Sequence, residues 1–106
     1  MDLENEVMEL IANSGYARSL VFQAIRCARE EKDFAQAEIY MQQAQEALSS
    51  AHHVQTKLIE MDEGTGKIPV HLVMVHAQDH LMNAIMLMEL GREIIALHQQ
   101  LGGFDE

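Results

Sequence analysis

Apolar side chains recur at alternating steps of four and three residues along nearly the whole chain, and proline occurs only once. That spacing places side chains on one face of an α-helix. The first such run covers residues 3–30, and its seam consists of Leu3, Val7, Leu10, Ser14, Ala17, Val21, Ala24 and Ala28. We expect one long helix here, in which Ser14-Gly15 marks a bend or a close contact with a neighbouring helix.

A second run begins at Asp33, which is followed three residues later by Gln36. This pair resembles a capping box and predicts a helix N-terminus. The apolar seam then continues to residues 61–63, where Gly64-Thr65-Gly66 gives the strongest loop signal in the chain. We therefore expect a second helix between these two points.

The third run follows the only proline, Pro69, which suits the first turn of a helix. It continues to about Leu101 and is expected to stop at Gly102-Gly103. Short connections make neighbouring helices antiparallel. The sequence thus predicts an all-α fold, in which a single domain over residues 1–106 forms an antiparallel three-helix bundle.

Charge and composition exclude several classes of function. The 106 residues include 17 Asp and Glu but only 7 Lys and Arg, which gives a formal net charge of −10. So acidic a chain has little positive charge for binding nucleic acid or an anionic membrane surface. The most apolar stretch, residues 68–90, contains too many polar groups to be a membrane span. We expect no nucleic-acid partner and no direct membrane insertion.

The single cysteine, Cys27, cannot form an intrachain disulfide, and this indicates a reducing compartment. Arg26 and Arg29 beside it could lower the pKa of the thiol. The simpler interpretation is a small residue on a packed helix face. Because the N-terminus is acidic where a signal peptide would be basic, we expect a cytoplasmic protein.

The third helix is predicted to be apolar on two sides. At about 100° per residue, one side carries Met74, Ala77, Leu81, Ala84, Ile85, Met88 and Ile95. The other side carries Leu72, Val73, Met86, Leu87, Leu90 and Ile94. A helix that is apolar on two sides is buried on two sides. Two sister helices can cover only one of them, so we infer self-association through the third helix.

Four polar residues interrupt the second apolar side: His76, Asp79, His80 and Asn83. Residues three or four apart on a helix are neighbours, so these side chains form one patch. A carboxylate in apolar surroundings is costly unless it is paired, protonated or bound to a metal. Copies of Asp79 near a symmetry axis would repel one another, and a hard divalent cation such as Mg²⁺ or Ca²⁺ would relieve this.

From the residues alone, two other functions stay open. His76, Asp79 and His80 have the outline of an inverted zinc-protease motif with Asp in place of Glu, which suggests a metal-dependent helical hydrolase. Alternatively, the chain is a non-catalytic interaction module whose polar cluster only fixes the register of the assembled helices.

The segment of residues 73–83, with its string His76-Ala77-Gln78-Asp79-His80, closely resembles the signature of the lactose/cellobiose-type enzyme IIA proteins of the bacterial sugar phosphotransferase system. Residues 13–19 and 51–60 are similar to the first and second helices of that family, so the resemblance covers essentially the whole chain. Residues 55–60 and the length of the chain are more similar to the cellobiose/diacetylchitobiose branch of this family than to its lactose branch.

This resemblance implies a homotrimer of three-helix subunits, with nine helices in all. It implies that His76 carries a phosphoryl group from the phosphocarrier HPr to a cysteine of the cognate enzyme IIB during uptake of a β-linked disaccharide. It also implies that Asp79 of each subunit meets its copies around one divalent metal per trimer, commonly Mg²⁺. Gln78 and His80 match neighbours in the motif and are expected to help shape the site.

Overall fold

The structure, a computed structural model, describes residues 3–102 of the chain. Three helices fill most of that range: α1 (Glu4–Arg26), α2 (Phe34–Asp62) and α3 (Leu72–Gly102). They lie side by side in a rod of 59 × 20 × 19 Å. α1 packs closely against both other helices, whereas α2 and α3 contact each other less. The predicted antiparallel three-helix bundle is therefore confirmed.

The core runs along the bundle axis and follows the predicted seams. Its fully buried large side chains include Leu10 and Val21 of α1, Met41 of α2 and Leu81 of α3. Alanines fill nine further core positions: Ala17, Ala24, Ala28, Ala37, Ala44, Ala47, Ala51, Ala77 and Ala84. Such small side chains let the helices approach closely, so a bundle of three long helices can bury a continuous core.

The connection between α1 and α2 contains a π-helical turn that the sequence did not indicate. α-Helical geometry ends at Arg26, and one wide π-helical turn (Cys27–Glu31) carries the chain to Lys32, whose φ of 53° breaks the helix. Asp33 then caps α2, because its Oδ1 accepts a hydrogen bond from the backbone N–H of Gln36 at 3.0 Å. The predicted N-cap is confirmed, and the helical stretch reaches Glu31 through the π-helical turn, close to the predicted end at Glu30.

Cys27 lies in this wide turn and is buried, as the simpler interpretation required. Its thiol donates to the backbone carbonyl of Asp33 at 3.4 Å. Burial raises the pKa of the Cys27 thiol, and the nearby carboxylate of Glu31 raises it further. The pKa of the thiol is therefore raised although two arginines are near in sequence, and its contact with Asp33 links the two ends of the turn.

The loop between α2 and α3 is organised by one carboxylate. Asp62 accepts from the backbone N–H groups of Gly66 at 3.3 Å and Ile68 at 2.8 Å. Ile68 is buried against the core, and the chain stays non-helical until Leu72. Pro69 thus lies three residues before α3, and its predicted place in the first helical turn is wrong. At its other end α3 continues to Gly102, while the predicted stop at Gly103 lies outside the described residues.

The close helix contact is at Gly91 of α3 rather than at Gly15 of α1. A β-carbon added at Gly91 would lie 2.7 Å from Cγ1 of Val21, so only glycine allows this approach of α3 to α1. A β-carbon at Gly15 would have no neighbour within 4 Å, and α1 continues through this position. Gly15 therefore makes no close helix contact, whereas Ser14 beside it is buried in the core.

α3 has an uncovered side, as the sequence predicted. Its exposed large apolar side chains are Leu72, Val73, Val75, Met82, Met86, Leu90, Ile94, Leu97 and Leu101. We call this surface the open face of α3. Within residues 3–102, no helix has the length and hydrophobicity needed to cross a membrane.

Candidate functional site

The polar cluster lies on the open face, in the N-terminal half of α3. His76, Asp79 and Asn83 are exposed, and His80 is half-buried. Steps of three and four residues bring these side chains together, as predicted from the sequence. The cluster therefore stands as a polar island within an exposed apolar surface.

His76 and His80 are in direct contact. Their Nε2 atoms are 3.0 Å apart, which is hydrogen-bonding distance for an N–H donor and a ring-nitrogen acceptor. The ring centroids are 4.4 Å apart and the ring planes are nearly perpendicular, at 87°. One ring nitrogen of His76 is thus already engaged by a neighbour on the same helix.

Asp79 is held from one side only. Nδ2 of Asn83, one turn further along α3, donates to Oδ2 of Asp79 at 3.3 Å. Oδ1 makes no hydrogen bond to any residue between positions 3 and 102. The carboxylate therefore presents one free oxygen to whatever covers the open face.

Gln78 points away from the two histidines. Its Oε1 accepts from Nε2 of Gln55 on α2 at 2.7 Å, and Gln55 also contacts the sulfur of Met82. Residues two positions apart lie on different sides of a helix, so Gln78 and His76 do not meet within one chain. Gln55 was not predicted as a polar partner, although a glutamine in the apolar seam of α2 is a signal for one.

Beside Gln78, the end of α2 and the following loop form an apolar groove of about 430 Å³. Three of its side chains are at least half exposed: Ile59 at 65%, Val70 at 72% and Val75 at 52%. Because Val75 directly precedes His76, the groove and the histidine pair flank the same stretch of α3. We call it the α2–α3 groove.

In a single chain, these residues do not assemble a metal site. Nowhere in residues 3–102 do three His, Cys, Asp or Glu side chains converge closely enough to hold an ion. His76 and His80 contact each other, while Asp79 turns to Asn83. The arrangement gives no support to a hydrolase built from His76, Asp79 and His80.

Comparison with known proteins identifies relatives over most of the chain. Residues 5–99 match the family model described as the PTS system, Lactose/Cellobiose specific IIA subunit. The N,N'-diacetylchitobiose-specific EIIA component of the Escherichia coli PTS system is 54% identical over 100 residues, which cover 94% of this chain and 85% of that protein. The lichenan-specific phosphotransferase enzyme IIA component of Bacillus subtilis is 40% identical, covering 94% and 90%.

Solved structures agree with these matches. The PTS cellobiose specific enzyme IIA from Bacillus anthracis superposes with a TM-score of 0.91 at 40% identity, covering 97% of this chain and 94% of that one. The IIA(Chitobiose) chain of the IIA(Chitobiose)-HPr complex of E. coli gives a TM-score of 0.83 at 52% identity, covering 96% and 98%. The chain therefore belongs to the lactose/cellobiose-specific IIA family and is a phosphotransferase component of the cellobiose/chitobiose type.

Proposed function

We propose that His76 is the phosphoryl carrier of this IIA protein. It accepts a phosphoryl group from phosphorylated HPr and passes it to a cysteine of the cognate enzyme IIB, during uptake of a β-linked disaccharide of the cellobiose or chitobiose kind. The observation that carries the proposal is an exposed imidazole in a polar island of α3, beside an apolar surface. A structural relative solved as a IIA(Chitobiose)-HPr complex supports HPr as the donor.

The chemistry requires little more than the imidazole. A ring nitrogen of His76 attacks phosphorus with its lone pair, and the bond from phosphorus to the donor side chain of HPr breaks and returns its electron pair to that side chain. In the second transfer, a cysteine thiolate of enzyme IIB attacks and the bond from phosphorus to His76 breaks. Because donor, carrier and acceptor are all protein side chains, catalysis consists mainly of alignment.

The surface around His76 suits transient docking. Ile59, Val70 and Val75 expose apolar area along the α2–α3 groove, and Gln78 supplies polar contacts next to it. Protein interfaces commonly combine an apolar centre with such a polar rim. HPr and enzyme IIB dock on this surface in turn, because HPr must bring its phosphoryl group, and enzyme IIB its cysteine, to the same nitrogen of His76.

The functional unit is proposed to be a homotrimer assembled through the open face of α3. The exposed apolar side chains of this face continue from Leu72 to Leu101, nearly the full length of the helix. Monomeric proteins rarely expose a continuous apolar surface of that kind. In a trimer, three copies of this face cover one another around a common axis.

Asp79 is proposed to hold one divalent cation per trimer, with Mg²⁺ as the candidate. The residues fit this only across subunits, because one chain offers a single free carboxylate oxygen at Oδ1. Three such oxygens around an axis match the oxygen preference of Mg²⁺. When bound, the cation would offset two of the three carboxylate charges and link the subunits.

The decisive experiment is phosphorylation with phosphoenolpyruvate, enzyme I and HPr, followed by intact mass spectrometry. The wild-type chain is expected to gain one phosphoryl group and His76→Gln none, with both variants forming the same assembly. His53→Gln, which changes an exposed histidine on α2, is the matched control and should be labelled like the wild type. Labelling of His76→Gln on another histidine would refute the assignment, and an unlabelled wild type would favour the interaction module.

A further inference from the structure

We propose that Asp62 is a positioning residue for the docking of HPr, because its carboxylate holds the loop that forms one wall of the α2–α3 groove. Its Oδ2 accepts from the backbone N–H of Gly66 at 3.3 Å, and its Oδ1 accepts from the backbone N–H of Ile68 at 2.8 Å. The docking half of this proposal rests on the proposed function, whereas the structural half concerns the free protein and stands by itself.

The loop that Asp62 holds contains little regular structure of its own. Glu63, Gly64 and Gly66 lie in the left-handed region, with φ of 55°, 71° and 79°, and the chain does not return to helical geometry until Leu72. Glycine loses more conformational freedom on folding than any other residue. An aspartate that accepts from backbone N–H groups further along the chain offsets this cost with charge-assisted hydrogen bonds. The carboxylate of Asp62 therefore selects one conformation of the loop.

The conformation of the loop in turn sets the shape of the groove. Half of the ten residues that line the groove belong to the segment 62–70, namely Asp62, Gly64, Gly66, Ile68 and Val70. Within this segment Ile68 is buried in the core, with 7% of its surface exposed, whereas Val70, two residues later, is 72% exposed. By binding the N–H of Ile68, Asp62 fixes the point at which the wall of the groove leaves the core.

Asp62 acts on docking rather than on the chemistry at His76. Both of its carboxylate oxygens accept from the loop, and within residues 3–102 neither bonds to a residue of α3. When a binding surface is formed only part of the time, the apparent dissociation constant rises by the inverse of that fraction. The rate within the formed complex stays the same. Loss of the Asp62 carboxylate is therefore expected to weaken the docking of HPr and to leave the transfer step unchanged.

The first measurement is amide hydrogen exchange, followed by NMR in the free protein. Asp62→Ala is expected to speed exchange of the Ile68 N–H by about tenfold or more, because this N–H loses its acceptor. Asp62→Asn should give an intermediate rate, since its amide has one oxygen acceptor instead of two. Glu60→Ala, which removes an exposed carboxylate from the same end of α2, is the matched control and should exchange like the wild type. Unchanged exchange in Asp62→Ala would overturn the structural half.

The second measurement is the single-turnover rate of phosphoryl transfer at rising concentrations of phosphorylated HPr. Asp62→Ala is expected to raise the half-saturating concentration by about 5- to 20-fold and to keep the limiting rate within about twofold of the wild type. Asp62→Asn should again be intermediate, and Glu60→Ala should match the wild type. Circular dichroism checks that each variant is folded, and Asp62→Asn decides the test if Asp62→Ala is unfolded.

Two results would overturn the docking half. An unchanged half-saturating concentration in a variant whose Ile68 N–H exchanges faster would mean that HPr does not use this wall of the groove. A lower limiting rate at an unchanged half-saturating concentration would place Asp62 in the transfer step instead. A wild type that takes up no phosphoryl group would refute the proposed function of His76, and the docking half with it. The exchange result would still decide whether Asp62 holds the loop.

Discussion

At the scale of single residues, one helical turn brings together groups with different tasks. His76 and His80 form a hydrogen-bonded pair, while Asp79, between them in sequence, is oriented by Asn83. Because consecutive positions project about 100° apart, the carboxylate and the imidazoles share a patch without contacting the same partner. A phosphoryl carrier and a subunit-linking carboxylate can therefore occupy one turn of α3 without competing.

The role proposed for Asp79 is tested by metal analysis. Purified wild-type protein, equilibrated with Mg²⁺ and passed through a desalting column, is expected to retain about one cation per three chains. Asp79→Leu should retain none and should still assemble, because an apolar side chain replaces three mutually repelling carboxylates.

Glu89→Leu is the matched control for Asp79→Leu, since it removes an exposed carboxylate from α3 beside the cleft with α2. It should keep the metal content of the wild type. Equal metal content in wild type and Asp79→Leu would contradict the proposed site.

Much of this patch could be predicted from the sequence because helical spacing alone decides which residues are neighbours. The clustering of His76, Asp79, His80 and Asn83 required only that residues 72–102 be helical. The position of Gln78 could not be predicted in this way, since it depends on Gln55 of another helix. Contacts between elements depend on how helices are rotated and shifted against each other, which local spacing does not encode.

At the scale of elements, the helices themselves followed from apolar periodicity, and the errors concern one helix start and one close contact between helices. Pro69 suggested a helix start, but Asp62 holds the loop backbone and Ile68 is buried, so α3 begins at Leu72. Gly15 suggested a close contact between helices, but the glycine that makes such a contact is Gly91. Both errors arise because the effect of a proline or a glycine depends on which neighbouring element packs against it, and the local sequence does not show this.

The two helical glycines give opposite predictions for substitution by alanine. Gly91→Ala inserts a methyl group 2.7 Å from the buried Val21, a short and stiff side chain. The overpacking should exceed the gain in helix propensity and lower the free energy of unfolding by about 1–2 kcal/mol. Gly15→Ala meets nothing within 4 Å and should raise the free energy of unfolding by about 0.5–1 kcal/mol.

Urea denaturation at one fixed protein concentration measures both changes, since the stability of an assembling protein depends on its concentration. Because Gly91→Ala and Gly15→Ala are expected to change the free energy of unfolding in opposite directions, each is a control for the other. A stabilising Gly91→Ala would mean that α1 and α3 can separate at no cost, and it would contradict the close contact.

At the scale of the whole molecule, one chain leaves a long apolar surface uncovered. Its rod is only about 20 Å wide, so each helix keeps one side exposed. On α1 and α2 the exposed sides are mostly polar, whereas on α3 a row of large apolar side chains runs from Leu72 to Leu101. The proposed assembly through α3 would bury this row and bring copies of Asp79 together, so the same contact would complete the core and create the proposed cation site.

Leu90→Glu tests this assembly directly. Leu90 is 52% exposed near the middle of the open face, where copies of α3 would meet. The substitution removes about 1.5–3 kcal/mol of apolar burial in each copy and places like charges near the axis. Sedimentation equilibrium should give three times the chain mass of 12.0 kDa for the wild type and the single-chain mass for Leu90→Glu.

Ile39→Glu provides the comparison, because Ile39 is similarly exposed, at 46%, but lies on α2 outside the open face. It adds the same charge to the same fold, so any effect of charge alone would appear in both variants. We expect Ile39→Glu to retain the wild-type mass. Leu90→Glu with the wild-type mass, or Ile39→Glu with the single-chain mass, would mean that the subunits do not meet through the open face. The assembly proposed around Asp79 would then be wrong, while phosphorylation of His76 would remain open to its own test.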